Sequence, residues 1–129
     1  MTINFEDEIE QDKNIDESNL IGELKGIKDI LYKWSTRLAK NVNALKKQKI
    51  NLDRLTLEKY KYYKHDYNIV LKESEIKLYT AGDVDIIKLK NEIRIVETKV
   101  EMIKTAVYTI REKSKTLKVL IDLQKLEML

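Results

Sequence analysis

The sequence has no cysteine, no proline, three glycines and one histidine among its 129 residues. Without cysteine the chain can form neither a disulfide framework nor a thiolate metal site. Without proline, and with so little glycine, few residues would interrupt long helices. The lone His65 lacks the partner spacing of a zinc site, and the sequence contains no phosphate-binding glycine loop and no candidate serine, histidine and aspartate set. We therefore expect a protein that is not an enzyme and that holds no cofactor or metal.

Long hydrophobic runs are also missing. No apolar stretch approaches the roughly 20 residues that cross a bilayer. No cationic start followed by an apolar run indicates a signal peptide. These absences predict a soluble intracellular protein with no membrane partner.

Charge is present in quantity but is unevenly distributed. Residues 1–20 carry seven acids and one lysine, a net charge of −6, which leaves +9 for the rest of a chain whose total is +3. Residues 1–17 are therefore predicted to form an acidic N-terminal arm. The arm is either a solvating tail or a segment that competes with nucleic acid for the cations of the body, and the sequence does not choose between the two.

Apolar residues recur at heptad spacing in two long segments. The first seam follows a candidate helix cap at Asn14 or Asp16 and comprises Leu20, Leu24, Ile27, Leu31, Trp34, Leu38, Val42, Leu45, Leu52, Leu55 and Tyr62. The second follows a candidate turn at residues 80–83, with Asp83 as its cap, and comprises Leu89, Ile93, Val96, Val100, Ile103, Val107, Ile110, Leu117 and Ile121. This pattern predicts an all-α fold, in which long heptad-patterned helices form a helical hairpin. Residues 18–129 would be a single helical domain.

The second helix carries more apolar residues than one seam can bury. The additional residues are Ile86, Ile87, Ile95, Met102, Val119, Leu120, Leu123, Leu126 and Met128. A stripe wider than one coiled-coil seam indicates packing on more than one neighbour. We therefore predict a homo-oligomer with the C-terminal helix near its centre.

A basic stripe and a group of tyrosines occupy the first helical segment. The stripe consists of Lys33, Lys40, Lys47, Arg54 and Lys61, seven residues apart, so its members project from nearly the same face at intervals of about 10.5 Å. Single-stranded nucleic acid offers phosphates to neutralise and bases to stack. We predict that phosphates contact Lys47, Arg54, Lys59, Lys61 and Lys64, and that bases stack on some of Tyr60, Tyr62 and Tyr63.

A simpler interpretation of the same stripe is a solvated outer face. Lysines at outer heptad positions are common on coiled coils, and the protein would then be a structural or scaffold protein without a nucleic-acid function. The local charge balance favours binding, because residues 25–64 contain twelve lysines and arginines against three acids. A merely solvated helix usually mixes its signs.

Four features of the sequence resemble the UvsY family of bacteriophage recombination mediators. They are the run Tyr32, Lys33 and Trp34, the pair Tyr62 and Tyr63 twenty-eight residues beyond Trp34, the run Ser74, Glu75, Ile76 and Lys77, and the helix start at Asp83, Val84 and Asp85. The resemblance extends over residues 30–129 as a pattern of spacings more than of identities.

The resemblance implies a function. Members of that family bind single-stranded DNA, assemble into hexameric or heptameric rings, and help a RecA-like recombinase replace the phage single-strand-binding protein. By this resemblance the chain would act in the cytoplasm of the infected bacterial host, as a homo-hexamer or heptamer with those partners.

The sequence differs from the family pattern in two places. The DNA-contact motif of the family has basic residues three and five positions before the tyrosine pair. Lys59 matches the first, Leu57 stands at the second, and Lys61 is the candidate substitute. The segment between the tyrosine pair and Ser74 is also shorter than in better-known members and lacks their glycines, so the loop behaviour of the family does not carry over to it.

Overall fold

A computed structural model of the chain describes residues 4–128. Within them four α-helices occur and no β-strand: α1 (Phe5–Lys13), α2 (Leu20–Lys61), α3 (Glu73–Ala81) and α4 (Val84–Glu127). A 3-10 turn at Glu17–Asn19 precedes α2, and a π-helical turn at Tyr62–Asp66 follows it. The predicted all-α class is confirmed.

Side-chain caps begin the two long helical segments. Asp16 Oδ1 accepts a hydrogen bond from the Ser18 N–H at 3.0 Å, immediately before α2. Asp83 Oδ1 accepts one from the Asp85 N–H at 2.9 Å, at the first turn of α4. Each aspartate satisfies an amide that has no carbonyl partner within its helix. Both aspartates are among the caps that the sequence predicted.

The chain divides into two compact units, and the first contains residues 4–39 and 101–128. Its core joins α2 to α4 through buried apolar side chains, namely Leu20, Ile27, Trp34, Ile103, Ala106, Val107, Ile110 and Leu117. All of these except Ala106 belong to the two predicted seams. Heptad spacing therefore predicted most of this core, because residues seven apart stay on one face of a helix.

The second unit contains residues 40–100. Its buried apolar residues are Ile76, Ile86, Ile93 and Val100. Ion pairs show how its long helices run, since Lys49 of α2 pairs with Glu97 of α4, and Lys59 pairs with Asp85. As the residue number rises on α2, that of its partner falls on α4. The two helices are therefore antiparallel in this unit.

Helix α1 packs on α2 in the first unit through charges and rings. Asp12 Oδ2 accepts hydrogen bonds from Lys33 Nζ at 2.6 Å and from Trp34 Nε1 at 2.8 Å. Glu8 pairs with Arg37 at 2.8 Å, and the hydrogen bond from Arg37 holds the pKa of Glu8 below its ordinary value. The acidic segment thus places carboxylates on cations of α2, and the boundary of an N-terminal arm at residue 17 stays a prediction.

Lys113 is a buried charge that sequence spacing did not reveal. Its Nζ pairs with Glu23 Oε2 at 2.7 Å and donates to the backbone carbonyl of Asp12 at 2.8 Å. Only 4% of its side chain is exposed, so both contacts are needed to offset the loss of hydration. The heptad position of this seam is the neighbouring Ser114, seven residues after Val107, and it is half-buried.

Two seam assignments were wrong. Tyr62 was placed in the first seam, but it is 45% exposed. The π-helical turn that begins at Tyr62 adds a residue to the helical repeat, and this shifts the inward direction to Tyr63. Ile86 was placed off the second seam, but it is buried because it packs in the core of residues 40–100.

Several apolar residues of α4 remain exposed, as the sequence predicted. They are Ile87, Ile95, Val119, Leu123, Leu126 and Met128. Their exposure leaves an apolar surface on α4 that the described part of the chain does not cover. Within residues 4–128, no helix has the length and hydrophobicity that crossing a bilayer requires.

We predict that Asp12→Ala destabilises the protein by about 1–3 kcal/mol, because it leaves the buried Trp34 indole N–H without its acceptor. Urea unfolding, followed by the fluorescence of the only tryptophan, measures the change. The control is Asp7→Ala, which removes an exposed carboxylate from the same helix. Equal stability of the two variants would show that Asp12 does not hold Trp34 in place.

Candidate nucleic-acid interface

Most of the basic stripe faces solvent, and one member does not. Lys40, Lys47, Arg54 and Lys61 are exposed along α2. Lys33 is half-buried, and its Nζ pairs with Glu8 at 3.0 Å and with Asp12 at 2.6 Å. The predicted outward direction is thus wrong for Lys33, because α1 supplies acids that heptad spacing cannot reveal.

The second half of the predicted interface lies where α2 ends. Lys61 is the last residue of α2, and Tyr62–Asp66 forms the π-helical turn. This turn has no side-chain cap at its start, and an extended residue, Tyr67, follows it. A π-helical turn contains more residues than an α-helical turn. Its side chains therefore point in directions different from those of a continued α-helix.

Lys59 and Tyr63 meet at one carboxylate. The Tyr63 hydroxyl donates to Asp83 Oδ2 at 2.6 Å. Lys59 Nζ lies 3.5 Å from Asp83 Oδ1 and 2.8 Å from Asp85 Oδ2. Lys59 lies at a heptad position of the first seam, seven residues after Leu52, so its half-buried side chain reaches α4 instead of solvent. The structure therefore gives Lys59 two internal acidic partners.

The pKa values of this cluster follow from its contacts. The hydrogen bond to Asp83, together with burial, raises the pKa of Tyr63 to about 12. Burial alone would raise the pKa of Asp83, but the hydrogen bonds from Tyr63 and the Asp85 amide, with the charge of Lys59, lower it below its ordinary value. The hydrogen bond to Asp85 raises the pKa of Lys59. Each group thus keeps its ordinary neutral-pH form more firmly than it would in water.

Tyr60 and Lys64 form a second contact. Lys64 Nζ lies 5.8 Å from the centroid of the Tyr60 ring, within the range of a cation–π interaction. The Tyr60 hydroxyl donates a short hydrogen bond to Glu73 of α3. A cation and an aromatic ring are therefore adjacent here, and both residues belong to the predicted site.

Four tyrosines cluster beside the π-helical turn. Tyr62, Tyr63, Tyr67 and Tyr79 contact one another edge to face, with centroids 5.1 to 6.1 Å apart. We call these residues the tyrosine cluster. Tyr62 is 45% and Tyr79 41% exposed, so two members offer surface to a ligand.

Tyr67 and Tyr79 were not among the predicted site residues. Tyr67 closes the run of alternating cations and rings that begins at Lys59, and this alternation was a usable signal. Tyr79 has no such signal, because only the packing of α3 against the π-helical turn brings it to the cluster.

The predicted residues are thus only partly brought together. The segment from Lys59 to Lys64 is compact, whereas Lys47 lies fourteen residues, or about 21 Å, before Lys61 on the same helix. Arg54 lies midway between these two lysines. A ligand that contacts all of these residues must be extended along α2.

A metal-based site has no support in this part of the chain. Residues 4–128 contain no group of three or more histidine or acidic side chains placed to hold an ion. The Asp83 and Asp85 carboxylates face Lys59, and both pair with its amine.

Helices, exposed cations and clustered rings define an all-α protein with a candidate interface for nucleic acid. The family model "Recombination, repair and ssDNA binding protein UvsY" matches residues 8–128. The chain therefore belongs to the UvsY family, and the resemblance inferred from the sequence is confirmed. That family description names DNA binding and no catalytic activity.

Solved structures of the bacteriophage T4 recombination mediator protein UvsY share the fold. One crystal form matches with a TM-score of 0.83 at 17% identity, over 95% of this chain and 98% of that chain. A second form matches with a TM-score of 0.84 at 16% identity, over 98% of this chain and 99% of that chain. No curated protein matches the sequence significantly.

We predict that Asp83→Asn lowers the pKa of Tyr63 from about 12 towards its ordinary value of 10.0, because the amide has no charge to oppose tyrosinate formation. A tyrosine whose pKa is higher in the folded than in the unfolded state stabilises the fold. This contribution is fully present when the pH is below the pKa of the unfolded state. This stabilisation is lost as the pH rises through the folded value. The wild type should therefore lose stability between pH 10.0 and about 12.

Ultraviolet absorbance of tyrosinate measures the titration, and urea unfolding at each pH measures the stability. Tyr63→Phe is the control, since it removes the titrating group. A high-pH tyrosine titration that is the same in Tyr63→Phe as in the wild type would assign the raised pKa to another residue.

Proposed function

We propose that this protein is a recombination mediator that binds single-stranded DNA as a homo-hexameric or heptameric ring. In this role it helps a RecA-like recombinase to replace the phage single-strand-binding protein, in the cytoplasm of the infected host. It acts by binding and not by catalysis. Membership of the UvsY family and the shared fold with the T4 recombination mediator support the proposal.

The observation that carries the proposal is a set of exposed cations without acidic partners. No acid among residues 4–128 lies within ion-pair distance of Lys47, Arg54, Lys61 or Lys64, the members of this set. A phosphate can approach them without displacing a carboxylate. Each contact releases condensed counterions from the DNA, which favours binding at low salt.

The tyrosine cluster supplies the complementary surface for bases. Tyr62 is its most exposed member, and it follows directly after Lys61, so a base and its phosphate can be contacted by adjacent residues. Stacking of a base on an aromatic side chain contributes about 1–3 kcal/mol. The Tyr63 hydroxyl donates a hydrogen bond to Asp83 and so anchors the cluster. Tyr63 is therefore better suited to orient Tyr62 than to stack on a base itself.

Lys59 contributes differently from the other cations. A phosphate that reaches it must compete with Asp83 and Asp85, which already neutralise its amine. Its main role in this proposal is to hold the α2 end against α4. Lys61 then supplies the basic group for which the family motif would use the position of Leu57.

The ring assembly rests on the apolar surface of α4. Exposed Val119, Leu123 and Leu126 recur at helical spacing near the C-terminal end of that helix. Burial of such a stripe between copies of the chain would remove apolar area from water. We therefore place the contacts between subunits on this face.

The DNA site is tested with Lys61→Gln combined with Lys64→Gln. Binding to labelled oligo-dT should weaken, and the slope of log affinity against log salt should flatten by about 1.4 per subunit, because two phosphate contacts are lost. Fluorescence anisotropy over a salt series gives both quantities. Sedimentation velocity should show an unchanged oligomer, because exposed lysines contribute little to folding.

Lys118→Gln combined with Lys125→Gln is the matched control, since it removes the same charge from exposed positions of α4. If both double variants change the salt slope equally, the contact is not at Lys61 and Lys64. A wild type that binds no single-stranded DNA would instead favour the scaffold interpretation.

The mediator activity has its own test. Recombinase filaments should assemble faster on single-stranded DNA covered by the phage single-strand-binding protein when this protein is added. Bare DNA is the control, since there is then nothing to displace. Stimulation on bare DNA alone would argue against a mediator.

A further inference from the structure

A groove with an apolar floor and basic rims lies within residues 40–100. One stretch of it, of about 510 Å³, is lined by residues of α2 and α4 that include Leu52, Ile93 and Arg94. The next stretch, of about 190 Å³, includes Tyr60 and Lys77. Lys90 lines both stretches, so they are adjacent, and we describe them together as one groove.

Helical periodicity explains why these side chains line one feature. Positions 49, 52, 56 and 60 of α2 recur every three or four residues, as do positions 86, 90, 93 and 97 of α4. From residue 49 to residue 60 the helix rises about 16 Å. That length accommodates a short run of unpaired nucleotides.

The cations of the groove are available to a ligand. No acid among residues 4–128 lies within ion-pair distance of Lys77, Lys90 or Arg94. Two acids, Asp53 and Glu97, also line the far stretch, and Lys49 is 4.0 Å from Glu97, so the groove is not uniformly basic. Its most positive part is the stretch beside Tyr60, where the lining contains two lysines and no acid.

The groove is separate from the tyrosine cluster. Lys77 lines the groove, and Tyr79 belongs to the tyrosine cluster. These residues are two positions apart on α3, so their side chains point about 200° away from each other around the helix axis. Tyr60 is the member of the predicted site that lines the groove. Lys64, above its ring, connects the groove to the cations of the π-helical turn.

We propose that this groove is a second contact surface for single-stranded DNA, with Lys77, Lys90 and Arg94 on the phosphates and Tyr60 against a base. The proposal rests on the proposed function and extends it to α3 and α4, which contributed no predicted site residue. The charge and shape of the groove favour single-stranded DNA as its ligand. Unpaired bases can pack on the apolar floor, and the phosphates of the backbone can contact the basic rims. In a duplex the bases are paired and stacked, so their faces could not lie against that floor.

The test is Lys77→Gln combined with Lys90→Gln. The matched control is Lys88→Gln combined with Lys118→Gln, which removes two charges from exposed positions that do not line the groove. Lys88 is only two residues from Lys90 on α4 and points in a different direction, so this half of the control differs from Lys90 in direction more than in location. With labelled oligo-dT, the groove variant should flatten the salt slope by about 1.4 per subunit relative to the control.

A photochemical crosslink independently shows where the oligonucleotide binds. An oligonucleotide that contains bromodeoxyuridine should crosslink to the peptide that carries Tyr60, and this product should be lost in the groove variant and kept in the control. Sedimentation velocity and thermal unfolding check that both variants keep the oligomer and the fold.

The outcomes separate the two proposals. If the groove variant binds like its control while Lys61→Gln with Lys64→Gln loses affinity, the groove proposal is overturned and the proposed function stands. If the wild type binds no single-stranded DNA, both are overturned. If the groove variant loses only the binding of an acidic peptide and keeps its DNA affinity, the groove is a protein site and the inference is wrong.

Discussion

The carboxylate of Asp83 is the contact on which the arrangement of residues 40–100 depends. Its Oδ1 caps α4 through the Asp85 amide, its Oδ2 accepts from Tyr63, and Lys59 lies beside it. One side chain thus fixes the end of α2, the π-helical turn and the start of α4 relative to one another. Because Tyr63 is held, the tyrosine cluster around it is held as well. A charged acceptor suits this task, since it forms stronger hydrogen bonds than a neutral one.

The helices and most of the buried positions could be predicted from the sequence, and the reason is the scarcity of proline and glycine. An uninterrupted heptad repeat leaves few alternatives, so Ile93, Val100 and Ile110 are buried as their spacing predicts. The prediction fails where the helix stops being regular. Nothing in the residues around Tyr62 indicates a π-helical turn, and one added residue is enough to turn a predicted core position outward.

The site was less predictable than the fold, because availability of a cation depends on distant residues. Spacing gave the direction of Lys47, Arg54 and Lys61 correctly, since direction is a local property of the helix. It could not show that Asp12 pairs with Lys33, twenty-one residues away, or that Asp85 pairs with Lys59, twenty-six residues away. Ion pairs of this kind depend on the tertiary fold, so they cannot be predicted from residue spacing in one sequence.

Net charge is consequently a poor measure of how strongly a surface attracts DNA. A lysine that already has a carboxylate partner gains little from a phosphate, because one ion pair replaces another and few counterions are released. Binding strength should follow the cations that have no internal partner. In the proposed DNA site Lys61 and Lys64 would therefore outweigh Lys59, although the resemblance to the family assigns Lys59 to a basic position of its motif. The pairing of Lys59 does not make it dispensable, because the same contacts set the geometry in which Tyr62 and Lys61 reach solvent.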